Sequence, residues 1–268
     1  MELGGKVCIV TGAARGIGHA IAARFVAEGA RVMLCDLAGA EEAAAALGAQ
    51  GIACDVRDER QIVALVAETE ARLGPVDLFC SNAGVGFGEP GNAASAPDDM
   101  WQTSWDVNVM AHVRAARAVL PGMIARGSGH IVNVASAAGL LNQIGDAAYS
   151  ATKHAAVGFA ESLAITHAED GIGVSVVCPQ YVATPMIGYE NPGQATHPGV
   201  IAPADVAEAV VQGIRDERFL ILPHPQVLDY MRLKAEDYER WLSGMRKLRA
   251  RAIAETGRAD ALSLHRLL

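Results

Sequence analysis

The segment Thr11-Gly12-Ala13-Ala14-Arg15-Gly16-Ile17-Gly18 joins an apolar run at residues 6–11 to a helical pattern at residues 16–28. Its glycines follow GxxxGxG spacing, which lets the backbone of a tight turn approach a ligand closely. A turn that leads from a strand into a helix also offers free N–H groups and the positive end of the helix dipole, which favour phosphate. The segment therefore predicts a dinucleotide-binding turn. Its expected contacts are Gly12, Arg15, Gly16, Ile17 and Gly18.

Short apolar runs alternate with longer helical patterns beyond this turn, a rhythm typical of βαβ units. The predicted strands are residues 6–11, 31–36, 51–54, 76–81, 130–135, 173–178 and 219–222. The predicted helices are residues 16–28, 58–73, 97–125, 149–170 and 204–215. Runs such as Ile131-Val132-Asn133-Val134 suit a sheet that is buried on both faces. The pattern predicts an α/β fold, a doubly wound, Rossmann-type parallel sheet of about seven strands with helices on both faces.

The chain of 268 residues fits a single domain (1–268) with one continuous core. We expect this core over residues 1–222 and a helical C-terminal extension over residues 224–268, where apolar residues recur at helical spacing. Residues 184–203 are rich in Pro, Gly, Asn, Gln and Thr, which indicates a mobile loop, and we interpret them as a substrate lid. Trp241 in the extension is expected to pack in the core or between subunits rather than against substrate.

Composition excludes several classes of partner. A formal net charge of −8 opposes nucleic-acid binding, and the basic cluster at residues 246–251 is too local to change this. Five cysteines without CxxC spacing predict reduced, buried thiols, and eight histidines without paired-ligand spacing predict no metal site. Neither a secretory signal nor a membrane-spanning stretch is recognisable, so we expect a cytoplasmic protein with no membrane partner.

Asp36 ends the second predicted strand, about 20 residues beyond the glycines. A carboxylate there accepts hydrogen bonds from the adenosine ribose hydroxyls and repels a 2′-phosphate. The next residue is Leu37 rather than a basic residue, so we expect NAD as the cofactor. Arg15 keeps NADP open as an alternative, because a basic side chain in the turn can contact a 2′-phosphate. Further cofactor contacts are expected where the third and fourth strands end, at Asp55, Val56, Asn82, Ala83 and Gly84.

Tyr149 and Lys153 stand four residues apart in a helical run, so their side chains can reach one ligand. Ser136 lies at the end of the fifth predicted strand, and Asn108 lies within the preceding helix. These four residues are the candidate catalytic residues. A free tyrosine, with a pKa of about 10, is a poor base at neutral pH. The hypothesis therefore requires the Lys153 ammonium and the positively charged nicotinamide ring of the cofactor to lower the pKa of Tyr149, with two or three units a plausible shift.

Together with the glycine turn and Asp36, these four residues resemble the short single-domain branch of the short-chain dehydrogenase/reductase family, over roughly residues 5–222. The resemblance implies an NAD-dependent oxidoreductase that moves a hydride between the cofactor and a secondary alcohol or ketone. It implies that Tyr149 exchanges the proton and that Ser136 positions the substrate oxygen. It also implies that Lys153 holds the nicotinamide ribose and that Asn108 supports a proton-conducting water.

The same resemblance implies that Val182 and Thr184 contact the carboxamide end of the cofactor. Pro179, Tyr149 and Lys153 are expected cofactor contacts too. It further implies a homotetramer or homodimer, with the helices that contain Asn108 and Tyr149 at the interface.

Two positions depart from the family pattern. Gln180 follows Pro179 where the family usually has glycine, and Ser81 replaces the first asparagine of Asn-Asn-Ala-Gly. Gln180 leaves the local turn and the pocket shape open. Because residues 184–203 carry few charges, we expect an uncharged, rather apolar alcohol or ketone as the small-molecule substrate. Expected substrate contacts are Ser136, Gln143, Tyr149, Tyr181, Met186 and Ile187, although Met186 and Ile187 are equally compatible with core packing.

Three alternatives stay open. A non-catalytic NAD-binding sensor or scaffold would share the cofactor turn, but it should lack one of the four catalytic candidates, and all four are present. A sugar epimerase or dehydratase would share the YxxxK pair, but such enzymes generally carry a larger C-terminal substrate domain. An NADP-dependent ketone reductase differs only in its cofactor.

Overall fold

The computed structural model describes residues 1–89, 91–190 and 197–267. Its strands are β1 (Val7–Thr11), β2 (Arg31–Asp36), β3 (Gln50–Ala53), β4 (Leu78–Ser81), β5 (Gly129–Val134), β6 (Ile172–Val177), β7 (Tyr181–Val182), β8 (Val200–Ile201) and β9 (Leu220–Ile221). Seven of them form one parallel sheet in the order β3-β2-β1-β4-β5-β6-β9, and β7 pairs separately with β8. The predicted doubly wound parallel sheet is confirmed.

Helices cover both faces of this sheet. They are α1 (Gly16–Ala27), α2 (Ala40–Leu47), α3 (Glu59–Leu73), α4 (Asp98–Trp105), α5 (Ala111–Arg126), α6 (Ala147–Thr166), α7 (Pro203–Arg215), α8 (Gln226–Glu236), α9 (Tyr238–Thr256) and α10 (Ala261–Leu264). Successive side chains of β1 point to opposite faces. Cys8 and Val10 pack with α1 and α7, whereas Ile9 packs with α3, α5 and α6. The sheet is therefore buried on both sides, which explains its continuous apolar strands.

Several predicted elements differ from those observed. The predicted helix at 97–125 is divided into α4 and α5 by a π-helical segment, Asp106–Met110, and α2 was not predicted. Helix α6 begins at Ala147, because Asp146 caps it, and ends at Thr166 rather than at residue 170. The predicted lid at 184–203 contributes a short 3₁₀ turn, Pro185–Ile187, and strand β8. Residues 191–196 of that loop lie outside the described residues.

The C-terminal extension folds as α8, α9 and α10. Trp241 is buried against Ala137, Leu141 and Val227, in agreement with the expectation of packing. All five cysteines are buried, and none of them forms a disulfide within the described residues. Within the described ranges, no three His, Cys, Asp or Glu side chains are grouped as a metal site requires, and no helix is long and apolar enough to cross a membrane.

Candidate active site

A cleft of 730 Å³ opens where strands of the sheet end at their carboxyl termini. The strand order reverses between β1 and β4, which is the position where doubly wound sheets bind ligands. Among the predicted cofactor and substrate residues, all except Gly18 line this cleft, and the catalytic candidate Asn108 also lies outside its lining. Parallel strands thus bring together residues that are up to about 170 positions apart in the sequence.

The glycine turn is shaped by its own packing. Gly12 and Gly16 adopt positive φ values of 62° and 61°, which only glycine tolerates readily. A Cβ atom at Gly18 would lie 2.2 Å from the Gly12 carbonyl oxygen, so Gly18 permits α1 to pack against the turn. The Asn82 side chain donates to the carbonyls of Thr11 and Gly12 at 2.9 and 3.2 Å. Gly18 and Asn82 therefore stabilise the conformation of the turn.

The N-terminus of α1 fits a dinucleotide phosphate. No side chain caps this helix, and its first residues, Gly16 and Ile17, line the cleft. Its first-turn N–H groups and the helix dipole are thus directed at the cleft, where an anion would satisfy them. The cleft is also large enough for a small-molecule cofactor.

Asp36 is held in place by two backbone groups. Its carboxylate accepts the N–H of Ala14 at 3.0 Å and the N–H of Leu37 at 2.8 Å, and it lines the cleft. The Arg15 side chain is exposed and also lines the cleft. Asp55 forms an ion pair with Arg57 at 2.7 Å, and this pairing lowers the pKa of the Asp55 carboxyl. Asp36 keeps lone pairs for a ribose, because each backbone bond uses only part of its acceptor capacity.

The catalytic candidates meet where α6 passes the end of β5. The Ser136 hydroxyl lies near the Tyr149 hydroxyl and opposes the rise in the pKa of the tyrosine. Ser136 Oγ also accepts the N–H of Ala138 at 3.1 Å, which fixes the serine side chain. Lys153 is buried, and its Nζ donates to the Val134 carbonyl at 3.2 Å and lies 5.5 Å from the Tyr149 ring centroid. One wall of the cleft therefore carries a hydroxyl pair beside a buried amine.

The pKa values differ from the sequence-based expectation. Burial raises the pKa of Tyr149 to about 12; the Ser136 side chain opposes this shift and the Asp146 charge adds to it. Burial lowers the pKa of Lys153 to about 8. In the protein alone, desolvation is the larger effect, so the pKa of Tyr149 lies above its usual value; the expected lowering by Lys153 and a bound nicotinamide stays a prediction. At neutral pH, Tyr149 is a phenol and Lys153 is an ammonium.

Asn108 lies behind the cleft wall, in the π-helical segment. Its Oδ1 accepts the Val85 N–H at 2.9 Å, and its Nδ2 donates to the Val85 carbonyl at 2.9 Å and to the Thr152 hydroxyl at 3.1 Å. Asn108 thus connects the loop after β4 to helix α6. A Cβ atom at Gly84 would lie 3.3 Å from Lys153 Nζ and 3.4 Å from Asn108 Oδ1, so this glycine allows both side chains to approach.

The substrate candidates lie at the other end of the cleft. Burial raises the pKa of Tyr181 to about 12, and the nearby Gln143 side chain opposes this shift. Met186 is 50% exposed, whereas Ile187 is buried in a cluster with Ala252 and Leu264. Ile187 therefore both lines the cleft and packs in the interior, and Met186 is free to contact a ligand.

Gln180 is accommodated without the backbone conformation that would require glycine, because its φ is not positive. Its N–H donates to His224 Nδ1 at 3.1 Å, and His224 Nε2 donates to the Tyr181 carbonyl at 3.0 Å. The buried His224 imidazole thus holds the backbone on both sides of the Gln180–Tyr181 peptide. Burial lowers the pKa of His224, which keeps the ring neutral in this role.

Sequence reasoning missed two contributions to the cleft. Asp146 accepts the N–H of Tyr149 at 3.0 Å and that of Gly88 at 2.8 Å, and its position before a helical run is an N-cap signal that was available. Arg258, Asp260 and Leu262 line the cleft from the C-terminal extension. No local pattern indicates this, because the contact depends on how the extension folds back.

The comparisons with known proteins agree with this geometry. The family model described as short chain dehydrogenase matches residues 6–195. A 1-deoxy-11-beta-hydroxypentalenate dehydrogenase of Streptomyces avermitilis is 38% identical over 231 residues, covering 82% of this chain and 85% of the relative.

Two solved structures are similar as well. A short-chain dehydrogenase/reductase from Burkholderia phymatum in complex with NAD superimposes with a TM-score of 0.81 at 32% identity, covering 89% of this chain and 96% of that one. A variant of the actinorhodin polyketide ketoreductase with NADPH gives a TM-score of 0.73 at 35% identity, over 81% and 94% of the two chains. The chain belongs to the short-chain dehydrogenase/reductase family, oxidoreductases that use a nicotinamide cofactor to interconvert alcohols and ketones.

Proposed function

We propose that this protein is an NAD(H)-dependent dehydrogenase that interconverts a secondary alcohol and a ketone, with Tyr149 as the proton-exchanging residue. The observation that carries the proposal is the Ser136–Tyr149 hydroxyl pair, with buried Lys153 beside it, on the wall of a cleft that also receives the α1 N-terminus. A sensor or scaffold has no need for a buried amine beside a buried phenol, because burying such groups costs free energy.

Each residue has a distinct proposed role. The bound nicotinamide supplies or accepts the hydride. Ser136 donates a hydrogen bond to the substrate oxygen, and Tyr149 gives that oxygen a proton in reduction and removes one in oxidation. The raised pKa of Tyr149 keeps its proton available at neutral pH, which suits reduction. The Lys153 ammonium binds the nicotinamide ribose, and Asn108 joins the loop after β4 to helix α6, which carries Tyr149 and Lys153.

NAD is the proposed cofactor because Asp36 presents a carboxylate where the adenosine ribose binds in this fold. The solved relative from Burkholderia phymatum in complex with NAD supports the same choice. NADP is the second candidate, since exposed Arg15 lines the cleft and the actinorhodin ketoreductase was solved with NADPH.

The proposed substrate has an uncharged, apolar group next to its reacting carbon. Tyr181, Met186 and Leu262 surround that end of the cleft, and the charges of Arg258 and Asp260 neutralise each other in an ion pair.

We propose in addition a cytoplasmic homo-oligomer, a homotetramer or homodimer, that associates through the helices bearing the catalytic residues. Large apolar side chains are exposed there, among them Ile165 on α6, which is 80% exposed, and Trp105 on α4. Large exposed apolar side chains mark association surfaces where they form a contiguous patch.

The test is an initial-rate assay of the purified protein with NADH and with NADPH against cyclic and long-chain ketones, sugars and hydroxy acids, followed by nicotinamide absorbance. We expect turnover of apolar ketones and at least tenfold higher kcat/KM with NADH than with NADPH. A preference for NADPH would contradict the proposal that the Asp36 carboxylate selects NAD(H). Tight NADH binding without any turnover would favour the sensor.

A further inference from the structure

A second cavity, of 550 Å³, adjoins the catalytic cleft. Helices α8 and α9 form much of its wall, together with the segment at residues 141–144 and Leu264 of α10. Gln180 and Tyr181 line both this cavity and the catalytic cleft, so their peptide is a wall common to the two. The volume falls within the range of small-molecule sites, about 300–1,000 Å³.

The lining of this cavity combines apolar surface with positive charge. Most of its large side chains are apolar, and they are Leu141, Ile144, Leu233, Trp241, Met245, Leu248 and Leu264. Arg240 and Lys247 are its charged side chains, and no carboxylate lines it among the described residues. Neither Arg240 nor Lys247 forms an ion pair with any residue that the structure describes.

Helix α9 as a whole contrasts with the rest of the protein. It carries five basic and two acidic residues, although the whole chain has a net charge of −8. Of these basic residues, Arg251 is paired with Glu255. Two of the basic residues of α9 that form no ion pair within the described residues, Arg240 and Lys247, line the cavity. Unpaired cations at an apolar pocket favour a ligand that has an anionic group and a hydrocarbon part.

We propose that this second cavity binds an apolar carboxylic acid, whose hydrocarbon part packs against Trp241, Met245 and Leu248. Its carboxylate contacts Arg240 and Lys247, which lie seven residues apart on α9 and so share a helix face. Because the Gln180–Tyr181 peptide is common to both sites, the bound acid changes the KM of the carbonyl substrate. Binding itself does not rest on the proposed function, since it is measurable without turnover.

The first experiment is isothermal titration calorimetry of the full-length protein with decanoate and with 1-decanol. We expect saturable decanoate binding, at least tenfold tighter than that of 1-decanol. The double variant Arg240→Ala/Lys247→Ala should weaken decanoate binding at least tenfold. The matched control Arg246→Ala/Arg249→Ala removes two cations of the same helix that do not line the cavity, and it should bind within twofold of the unmodified protein.

A second variant blocks the cavity and leaves its charges in place. A Cβ atom at Gly244 has no other atom within 4 Å, so Gly244→Phe can extend into the cavity without a clash at the helix backbone, while Gly244→Ala is the matched control. We expect Gly244→Phe to abolish decanoate binding and Gly244→Ala to retain it, with both melting temperatures at or above that of the unmodified protein, because glycine destabilises helix interiors.

Three results would overturn the proposal: equal affinity for 1-decanol, unchanged decanoate binding in the charge variant, or decanoate binding that persists in Gly244→Phe. Sedimentation velocity adds a fourth. A second copy of the chain, rather than an acid, occupies the cavity if Gly244→Phe lowers the oligomeric state and the unmodified protein binds no decanoate.

Discussion

The two ends of the catalytic cleft are built in different ways. At the cofactor end, Gly12, Asp36 and Asn82 lie at or next to the ends of neighbouring strands and are fixed by hydrogen bonds to backbone groups. At the substrate end, Tyr181 and Met186 belong to the segment after β6, and Leu262 comes from a C-terminal helix. The cofactor end is therefore determined by the sheet, whereas the substrate end depends on segments that the sheet does not position.

This difference explains why reaction class and substrate are separable. The hydroxyl pair and the buried lysine lie at the boundary between these two ends of the cleft. Ser136 follows β5, and Tyr149 lies in the first turn of α6. Substitutions at the boundary should lower the rate of the chemical step. Substitutions at the cofactor end should alter the preference between NAD and NADP, and those at the substrate end should mainly change KM for the substrate.

The largest of these effects is expected at the boundary. Ser136→Ala removes the hydroxyl beside Tyr149 and the proposed donor for the substrate oxygen, so kcat should fall about 100-fold, as for the loss of a donor to a developing oxyanion. Steady-state kinetics measures this. Ser162→Ala, on the exposed side of helix α6, is the control and should leave kcat within twofold. Equal kcat values for the two variants would remove Ser136 from the chemistry.

A smaller effect is expected at the cofactor end. Asp36→Ser removes the carboxylate, so kcat/KM for NAD should fall about tenfold, in line with the loss of hydrogen bonds to a charged group, and kcat/KM for NADP should rise. Initial rates with the two cofactors measure the ratio. An unchanged ratio of kcat/KM for the two cofactors would show that Asp36 does not bind the adenosine ribose. Arg15→Ala would then be the variant to test for an effect on cofactor preference.

The smallest effect is expected at His224, which contacts neither ligand and acts through the Gln180–Tyr181 peptide. His224→Phe removes both of its hydrogen bonds, so KM for the substrate should rise about fivefold while kcat changes less than twofold. His224→Asn can keep the acceptor for the Gln180 N–H and should recover part of the loss. A fall in kcat, or an equal rise in KM for NADH, would indicate a general structural role instead.

The sequence predicted the cofactor end well, because its signals are local. The buried strands, the GxxxGxG turn and Asp36 each leave a pattern within a few residues, and the observed β2 has the predicted bounds, Arg31–Asp36. The substrate end lacked such signals. Contacts of Gly145 with Ala259 and Asp260, and of Gln180 with His224, join residues that are far apart in the sequence.

Two features at the boundary between the ends of the cleft also could not be predicted from the sequence. The π-helical segment at Asn108 has no marker residue, so the helical pattern of residues 97–125 is read as continuous. The direction of the Tyr149 pKa shift depends on desolvation, which only the packed structure defines. The residues were identified correctly as neighbours, but their electrostatic balance was not.

The central claim is that Tyr149 exchanges the proton at a cleft that binds the cofactor independently of it. The most direct measurement compares Tyr149→Phe with the unmodified protein in two assays, kcat for ketone reduction and the Kd of NADH by fluorescence titration. If Tyr149 exchanges the proton, kcat falls about 1,000-fold, within the range for general acid–base catalysis, while the Kd changes less than threefold. A variant that keeps more than a tenth of the original kcat would contradict the account.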